Sequence, residues 1–272
     1  MGDGTKMEDP LLRGAAFITG AASAKTHELG PGIGKYTALA FAKHGVSCLA
    51  LADVNLDALN ASVEALREQY PHVETLTLHM DVRKAEEVQL AVSQAVAKFG
   101  RLDIAVNNAG VGGKTLLTHE LDEAEWQRVI DINLNGVYRC QKEELSVIKS
   151  QGDFGSRRGR GVIVNVASMY GLGCTQKPPN VHAAILGFTK ADANAYAPDK
   201  IRINAICPGY VATPLTLCAP ADSPIHEHVA QTPMQRMAMP EEVADSIVFL
   251  ASPMSSFMHG AGLVVDGGFT SI

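Results

Sequence analysis

Short apolar runs alternate along this chain with segments whose apolar residues recur at helical spacing. The runs Ala15–Thr19, Ser47–Asp53, Val73–Met80, Ile104–Asn107, Val162–Ala167, Ile201–Ile206 and Leu263–Asp266 predict strands. Between them, Ile33–His44, Asp57–Gln69, Lys84–Phe99, Ala124–Lys149, Val181–Tyr196 and Glu241–Leu250 predict helices. Such alternation implies an α/β class, a parallel sheet with helices on both faces. The strands read as continuous apolar runs, as expected when both faces of a sheet are buried. No internal repeat is present. The linker-like stretches Ser150–Arg160 and Leu217–Pro224 fall inside the pattern and read as loops. A single domain over residues 14–272 is expected, behind a flexible tail of residues 1–13.

Composition narrows the class. The chain is 46% hydrophobic and 19% charged, too apolar for disorder and ample for a buried core. A net charge of −6 gives no electrostatic footprint for nucleic acid or an anionic membrane. The five cysteines are scattered, odd in number and without a CxxC pair, so reduced thiols of a cytosolic protein are expected. No apolar run approaches the roughly 20 residues that span a bilayer. The amino terminus lacks the apolar core of a signal peptide, and Lys6 stands where a myristoylation signal wants Ser or Thr. The last residues, Phe269-Thr270-Ser271-Ile272, match no retention or peroxisomal address. The expected location is the cytoplasm.

The first chemical motif is a glycine-rich turn. Phe17-Ile18-Thr19-Gly20 ends a strand and Gly32-Ile33-Gly34 opens a helix. Glycines there allow a tight turn and let a diphosphate approach backbone amides, which carry the positive end of the helix dipole. Asp53 follows about twenty residues past Gly34, at the end of the second strand. A carboxylate at that point can bind the adenosine ribose hydroxyls and repel a 2′-phosphate, which favours NAD(H) over NADP(H). A purely structural turn is the alternative reading.

From about Gly14 to Gly268 the chain resembles the short-chain dehydrogenase/reductase family, whose landmarks appear in order. Thr19-Gly20 and Gly32-Ile33-Gly34 look like split halves of its TGxxxGxG motif, and Asp81-Val82 is similar to the pair that contacts the adenine. Asn107-Asn108-Ala109-Gly110 matches the NNAG that stabilises the sheet and lines the cofactor. Asn133 is similar to the asparagine that holds a water in the proton relay, and Ser168 matches the serine that binds the substrate carbonyl. Pro208-Gly209, Val211 and Thr213-Pro214 resemble the segment that packs on the nicotinamide and its carboxamide. The resemblance implies a single doubly wound Rossmann-type domain with a seven-stranded parallel sheet, a nicotinamide cofactor, and homodimers or homotetramers formed through Ala124–Lys149 and Val181–Tyr196.

Two departures stand out. Eleven residues, Ala21 through Pro31, separate glycines that the family places three apart. A longer loop costs little; it is either a solvated bulge or brings Lys25 and His27 to a phosphate. More seriously, the family's tyrosine follows the serine by thirteen, and its lysine follows that tyrosine by four. The lysine lowers the tyrosine's pKa and holds the nicotinamide ribose. Counting from Ser168 lands on Val181 and Ile185; counting back from Gly187-Phe188-Thr189 gives Pro178 and His182. Neither frame yields the pair, and Pro178-Pro179 cannot lie inside a helix. Asn180 is a plausible N-cap for a helix starting at Val181. Tyr138 and Lys142 have the right mutual spacing but lie on the helix after Asn133, in the wrong place.

Two substitutes for the missing acid stand out. Tyr170 leaves the same strand end as Ser168 and faces the substrate side, or merely lines the cavity. His182 has an imidazole able to exchange protons near neutrality, although a helix N-terminus disfavours its charged form; the alternative is a packing role. The cluster His226-Glu227-His228 reads as a solvated flap, and no metal is expected.

The leading expectation is an NAD(H)-dependent oxidoreductase acting on a carbonyl or hydroxyl through a rerouted proton relay. A non-redox isomerase or cyclase and an inactive NAD(H)-binding protein are the alternatives. The segment Tyr210–Met237 mixes Pro, Ala, Leu, Met and His, which suggests a small, moderately apolar substrate and no macromolecular partner beyond further copies of the chain.

Overall fold

A computed structural model describes residues 10–22, 32–114, 116–172, 181–219 and 223–271. Within them, seven strands form one parallel sheet: β1 (Ala15–Thr19), β2 (Cys48–Asp53), β3 (Glu74–His79), β4 (Ile104–Asn107), β5 (Gly161–Val166), β6 (Ile201–Pro208) and β7 (Gly262–Val265). The helices are α1 (Ile33–Lys43), α2 (Leu56–Gln69), α3 (Ala85–Phe99), α4 (Glu123–Asn133), α5 (Asn135–Ser150), α6 (His182–Tyr196), α7 (Pro214–Leu217), α8 (Ile225–Gln231) and α9 (Pro240–Ala251). The spatial order β3-β2-β1-β4-β5-β6-β7 reverses direction between β1 and β4. A crevice opens at such a switch point, at the carboxyl ends of the strands.

The alternation of the pleat divides the core in two. Ala16, Ile18, Leu49, Leu51 and Val106 pack against α1, α2 and α9, through residues such as Phe41, Leu59 and Ile247. Phe17, Ala50, Ala105 and Ile163 pack on the other face against α3, α5 and α6, through Val88, Ile148 and Ala193. This is the doubly wound arrangement that the strand–helix alternation implies.

Several details differ from the sequence pattern. The edge strand β3 is only partly buried, with Thr75 and Leu78 buried and Glu74 and His79 exposed, because its outer neighbour is not another strand. Ala124–Lys149 is not one helix; α4 ends at Asn133 and α5 starts at Asn135, with Leu134 at φ −108° and ψ −58° between them. The break frees Asn133 to turn its amide onto a loop (below). Tyr210–Met237 carries the short helices α7 and α8 rather than loop alone. Leu12, assigned from sequence to the tail, is buried and donates its N–H to the His44 carbonyl at 2.9 Å. Gly45 makes room for this segment: at φ +109°, a Cβ there would stand 2.4 Å from the Pro10 Cβ.

A polar ladder runs through the apolar interior behind the crevice. Asn107 and Asn165 face each other across β4 and β5, and the Asn107 amide donates to Asn165 Oδ1 and Glu144 Oε2, both at 3.0 Å. Asn165 in turn donates to Gln141 Oε1 at 2.8 Å and Thr189 Oγ1 at 2.9 Å, and Gln141 donates to Asp192 at 2.8 Å. Burial pushes the Glu144 carboxyl up to about 8, so it holds its proton at neutral pH. The ladder pins α5 and α6 to the strands whose ends carry the site.

Candidate active site

The turn after β1 is shaped by close backbone approach. Gly20 sits at φ +64°, and a Cβ there would stand 2.8 Å from the Ala109 Cα. Asn108 donates its side-chain amide to the carbonyls of Thr19 (3.0 Å) and Gly20 (2.9 Å). The Thr19 hydroxyl accepts the N–H groups of Asn108 and Ala109, both at 3.0 Å. Gly34 lies against the same turn, where a Cβ would be 2.3 Å from the Gly20 carbonyl oxygen.

The start of α1 suits a diphosphate. Gly32 is its N-cap, with no side-chain cap and no acidic residue in the first turn. A Cβ on Gly32 would meet no described atom within 4 Å. A helix start of this kind leaves its first amides, those of Ile33 and Gly34 among them, without an intrahelical acceptor. Lys25 and His27 lie outside the described residues.

The other sequence-predicted cofactor residues gather along the same edge. Asp53 ends β2, its Oδ2 accepting the Ala22 N–H at 3.0 Å and its Oδ1 the Asn55 N–H at 2.9 Å. The carboxylate is thereby held beside the turn that follows Thr19. Asp81 is clamped by Arg83 at 2.6 Å, whose hydrogen bond keeps the carboxyl below its usual range. Val82 packs under Gly136, where a Cβ would stand 2.8 Å from Val82 Cγ2. Gly110 precedes Val111, whose N–H and carbonyl are both gripped by the Asn133 amide at 2.9 Å. Asn133 thus holds the loop after β4 with its side chain. Pro208 ends β6; Gly209 donates to the Val265 carbonyl at 2.9 Å and leaves no room for a Cβ beside Asp266. Val211 bridges to Ala238, and Thr213 caps α7 with its hydroxyl 3.4 Å from that of Thr216.

Ser168 follows β5 and caps a single helical turn, its Oγ accepting the Tyr170 N–H at 3.3 Å. That leaves the Ser168 hydroxyl proton available to donate elsewhere. The Tyr170 phenol hydrogen-bonds the Tyr210 phenol, which in turn meets His228 Nδ1 at 2.7 Å. Phe269 stands edge-on to both tyrosines, with ring centroids 6.4 and 5.7 Å away, and tilted at 6.0 Å from the imidazole. Burial raises the pKa of both phenols above the ordinary value, keeping them protonated.

His182 takes a different position. It opens α6 beside Gly171, and its Nδ1 is buried with no partner among the described residues. Burial pushes its imidazole down to about 4, so it is neutral at physiological pH and carries no charge for a ribose. Pro178, Pro179 and Asn180 lie outside the described residues. Tyr138 is 52% exposed on α5 and touches Phe188, so Tyr138 and Lys142 stand on an outer helical surface.

Tyr210, His228 and Phe269 were not singled out by the sequence. His228 belongs to the segment read there as a solvated flap, yet it turns inward onto Tyr210. The only hint was local: Tyr210 directly follows Pro208-Gly209 at a strand end.

Known proteins resemble this chain over nearly its whole length. A family model described as Enoyl-(Acyl carrier protein) reductase matches residues 29–270. The chain is 38% identical over 269 residues to cis-4-hydroxycyclohexanecarboxylate dehydrogenase of Sinomonas cyclohexanicum, covering 98% of this chain and 100% of the relative. It is 39% identical over 268 residues to cyclohexanol dehydrogenase of Acinetobacter sp. (strain SE19), covering 97% and 98%. Among solved structures, levodione reductase superposes with a TM-score of 0.84 at 31% identity, over 95% of this chain and 98% of that one.

Two buried groups near the site give opposite pH responses. His182 falls from about 6.5 unfolded to about 4 folded, so its burial costs stability as pH drops from 6.5 to 4. Glu144 rises from about 4.5 to about 8, so its burial costs stability as pH climbs through that window. Relative to the unsubstituted chain, His182→Gln should therefore gain stability toward pH 4, and Glu144→Gln toward pH 8. The gains should be on the order of 3 kcal/mol for His182→Gln and on the order of 5 kcal/mol for Glu144→Gln, read by denaturant unfolding across the pH range. A difference that stays flat with pH for either variant would contradict that burial.

Proposed function

This chain belongs to the short-chain dehydrogenase/reductase family, and we propose that it is an NAD(H)-dependent oxidoreductase that interconverts a carbonyl and a hydroxyl on a small, moderately apolar ring compound. The reading rests above all on the hydrogen-bonded chain Tyr170–Tyr210–His228 beside Ser168. The ring preference is suggested by the names of the cyclohexanol and cyclohexanecarboxylate dehydrogenases it resembles. Leu215, Leu217 and Met234, exposed along the segment that follows Gly209, supply an apolar surface for such a compound.

The nicotinamide cofactor, when bound, supplies or accepts the hydride. Gly20, Gly32, Ile33 and Gly34 form the diphosphate cradle, and Asp53 the ribose acceptor. Asp81 and Val82 border the adenine, Asn108, Ala109 and Gly110 line the crevice floor, and Pro208, Gly209, Val211 and Thr213 flank the nicotinamide. Ser168 donates its hydroxyl proton to the substrate oxygen, orienting the carbonyl. Tyr170 gives that oxygen its proton, Tyr210 reprotonates Tyr170, and His228 Nδ1 resupplies Tyr210. Asn133 acts as a positioning residue through Val111.

Among the described residues no ammonium lowers these phenols, and burial raises them. A protonated phenol suits carbonyl reduction, where a proton is given. Alcohol oxidation needs phenolate, which burial disfavours, so its rate should climb with pH and show no plateau below about 10. His182, neutral and buried, is the weaker candidate for the acid.

Tyr170→Phe should lower the rate of ketone reduction about 10²–10⁴-fold, the usual value of general acid catalysis, while leaving the NADH dissociation constant unchanged. Full activity in that variant, or turnover with no nicotinamide added, would overturn the reading. Asp53→Ala should narrow the ratio of NADPH to NADH dissociation constants by about tenfold or more in fluorescence titration. An unchanged ratio would remove Asp53 as the discriminator.

The outer faces of α5 and α6 are the proposed contact between copies of the chain, with cytoplasm as the proposed location. Tyr138 and Phe188 border a cavity of about 310 Å³ there. Light scattering should give the mass of a dimer or tetramer; a monomer would exclude that contact.

A further inference from the structure

The amino-terminal edge of the sheet, opposite the crevice, carries chemistry that hydride transfer does not use. Among the described residues, a cavity of about 380 Å³ there is lined by Arg13, Arg101, Arg157, Arg158, Arg160 and Arg202 and by one acidic residue, Asp103. The chain as a whole has a net charge of −6, so this edge runs against the average. Asp103 is already committed: its Oδ2 accepts the Ala15 N–H at 2.9 Å and its Oδ1 the Arg101 Nε at 2.6 Å.

Two of the other arginines are held by neutral oxygens. Arg157 donates to the Pro253 carbonyl at 3.0 Å. Arg202 donates to the carbonyls of Leu250, Ser252 and Ser255 at 3.0–3.1 Å. These neutral oxygens fix the guanidiniums in place without cancelling their charge. Arg158 has no hydrogen bond or ion pair among the described residues; burial pushes its pKa down, the charge of Arg13 adds to that, and Asp103 opposes it. The Nε atoms of Arg160 and Arg202 are buried without partners among the described residues. Arg101 lies 4.0 Å from the ring centre of Phe154, which is itself 58% exposed. Like charges gathered this way repel unless an anion enters.

We propose that this cavity is a polyphosphate-binding site, separate from the dinucleotide crevice. Several guanidiniums need several negative charges, and a chain of phosphates offers each one a bidentate acceptor, whereas a lone carboxylate would neutralise only one. The volume suits a diphosphate or the polyphosphate of a nucleotide. Arg202 lies at the start of β6 and Gly209 just beyond its end, about 23 Å apart at strand rise, so one small ligand does not fill both sites.

Inorganic pyrophosphate and ATP, titrated separately into the full chain by calorimetry, test the site. Both should bind saturably, and Arg158→Gln should weaken both at least tenfold. Lys149→Gln, which removes a charge on α5 outside the cavity, should not. Tighter binding of ATP identifies a nucleotide as the source of the phosphates, and equal binding identifies inorganic polyphosphate; either supports the site. Pyrophosphate should also raise the melting temperature of the unsubstituted chain and not that of Arg158→Gln, which guards against misfolding of the variant. NADH should displace neither ligand. Absence of saturable binding, equal weakening by Lys149→Gln, or displacement by NADH would overturn the proposal, while NADH binding and ketone reduction are read independently of it.

Discussion

One exchange of hydrogen bonds holds the carboxyl edge of this protein together. Where the strand order reverses between β1 and β4, Asn108 donates to the carbonyls of Thr19 and Gly20, and the Thr19 hydroxyl accepts the N–H groups of Asn108 and Ala109. Four bonds across one gap fix the left-handed turn at Gly20 and bring Gly34 against it. With that turn in place, α1 starts against it and Asp53 is held beside it. Loss of the exchange would leave buried carbonyls unpaired at the mouth of the crevice.

Behind the edge, the ladder from Asn107 through Asn165 to Gln141, Thr189 and Asp192 fastens α5 and α6 to β4 and β5. Most polar groups of the ladder are paired, Asn107 Oδ1 and Glu144 Oε1 lack partners among the described residues, and Glu144 avoids a buried charge by keeping its proton. Rigid support of this kind matters at Ser168, because a proton donor must lie within hydrogen-bond reach of the substrate oxygen. The proposed donor comes from three segments, contributing Tyr170, Tyr210 and His228, and Phe269 packs against all three rings.

The two edges of the sheet are electrically unlike. Helix amino termini and glycine turns make the carboxyl edge receptive to a diphosphate through backbone dipoles. At the opposite edge, six arginines and, among the described residues, a single carboxylate line one cavity. Net charge conceals this, because it sums over the whole surface and says nothing of where the charges meet.

Much of the architecture was legible in the sequence. Periodicity placed β1 and β4 as found and the other strands to within two residues at either end, because a parallel sheet buried on both faces leaves a plain apolar signature. The glycine turn, Asp53 and Ser168 were readable because backbone geometry and strand ends dictate residue type locally. The helix break at Leu134 was not, since it depends on Asn133 reaching Val111, twenty-two residues away. Nor was the partnership of Tyr170 with Tyr210 and His228, or the meeting of Arg13 with Arg158 and Arg202. Each joins side chains remote along the chain, and only the closing of the sheet, with strands laid out of sequential order, sets them face to face.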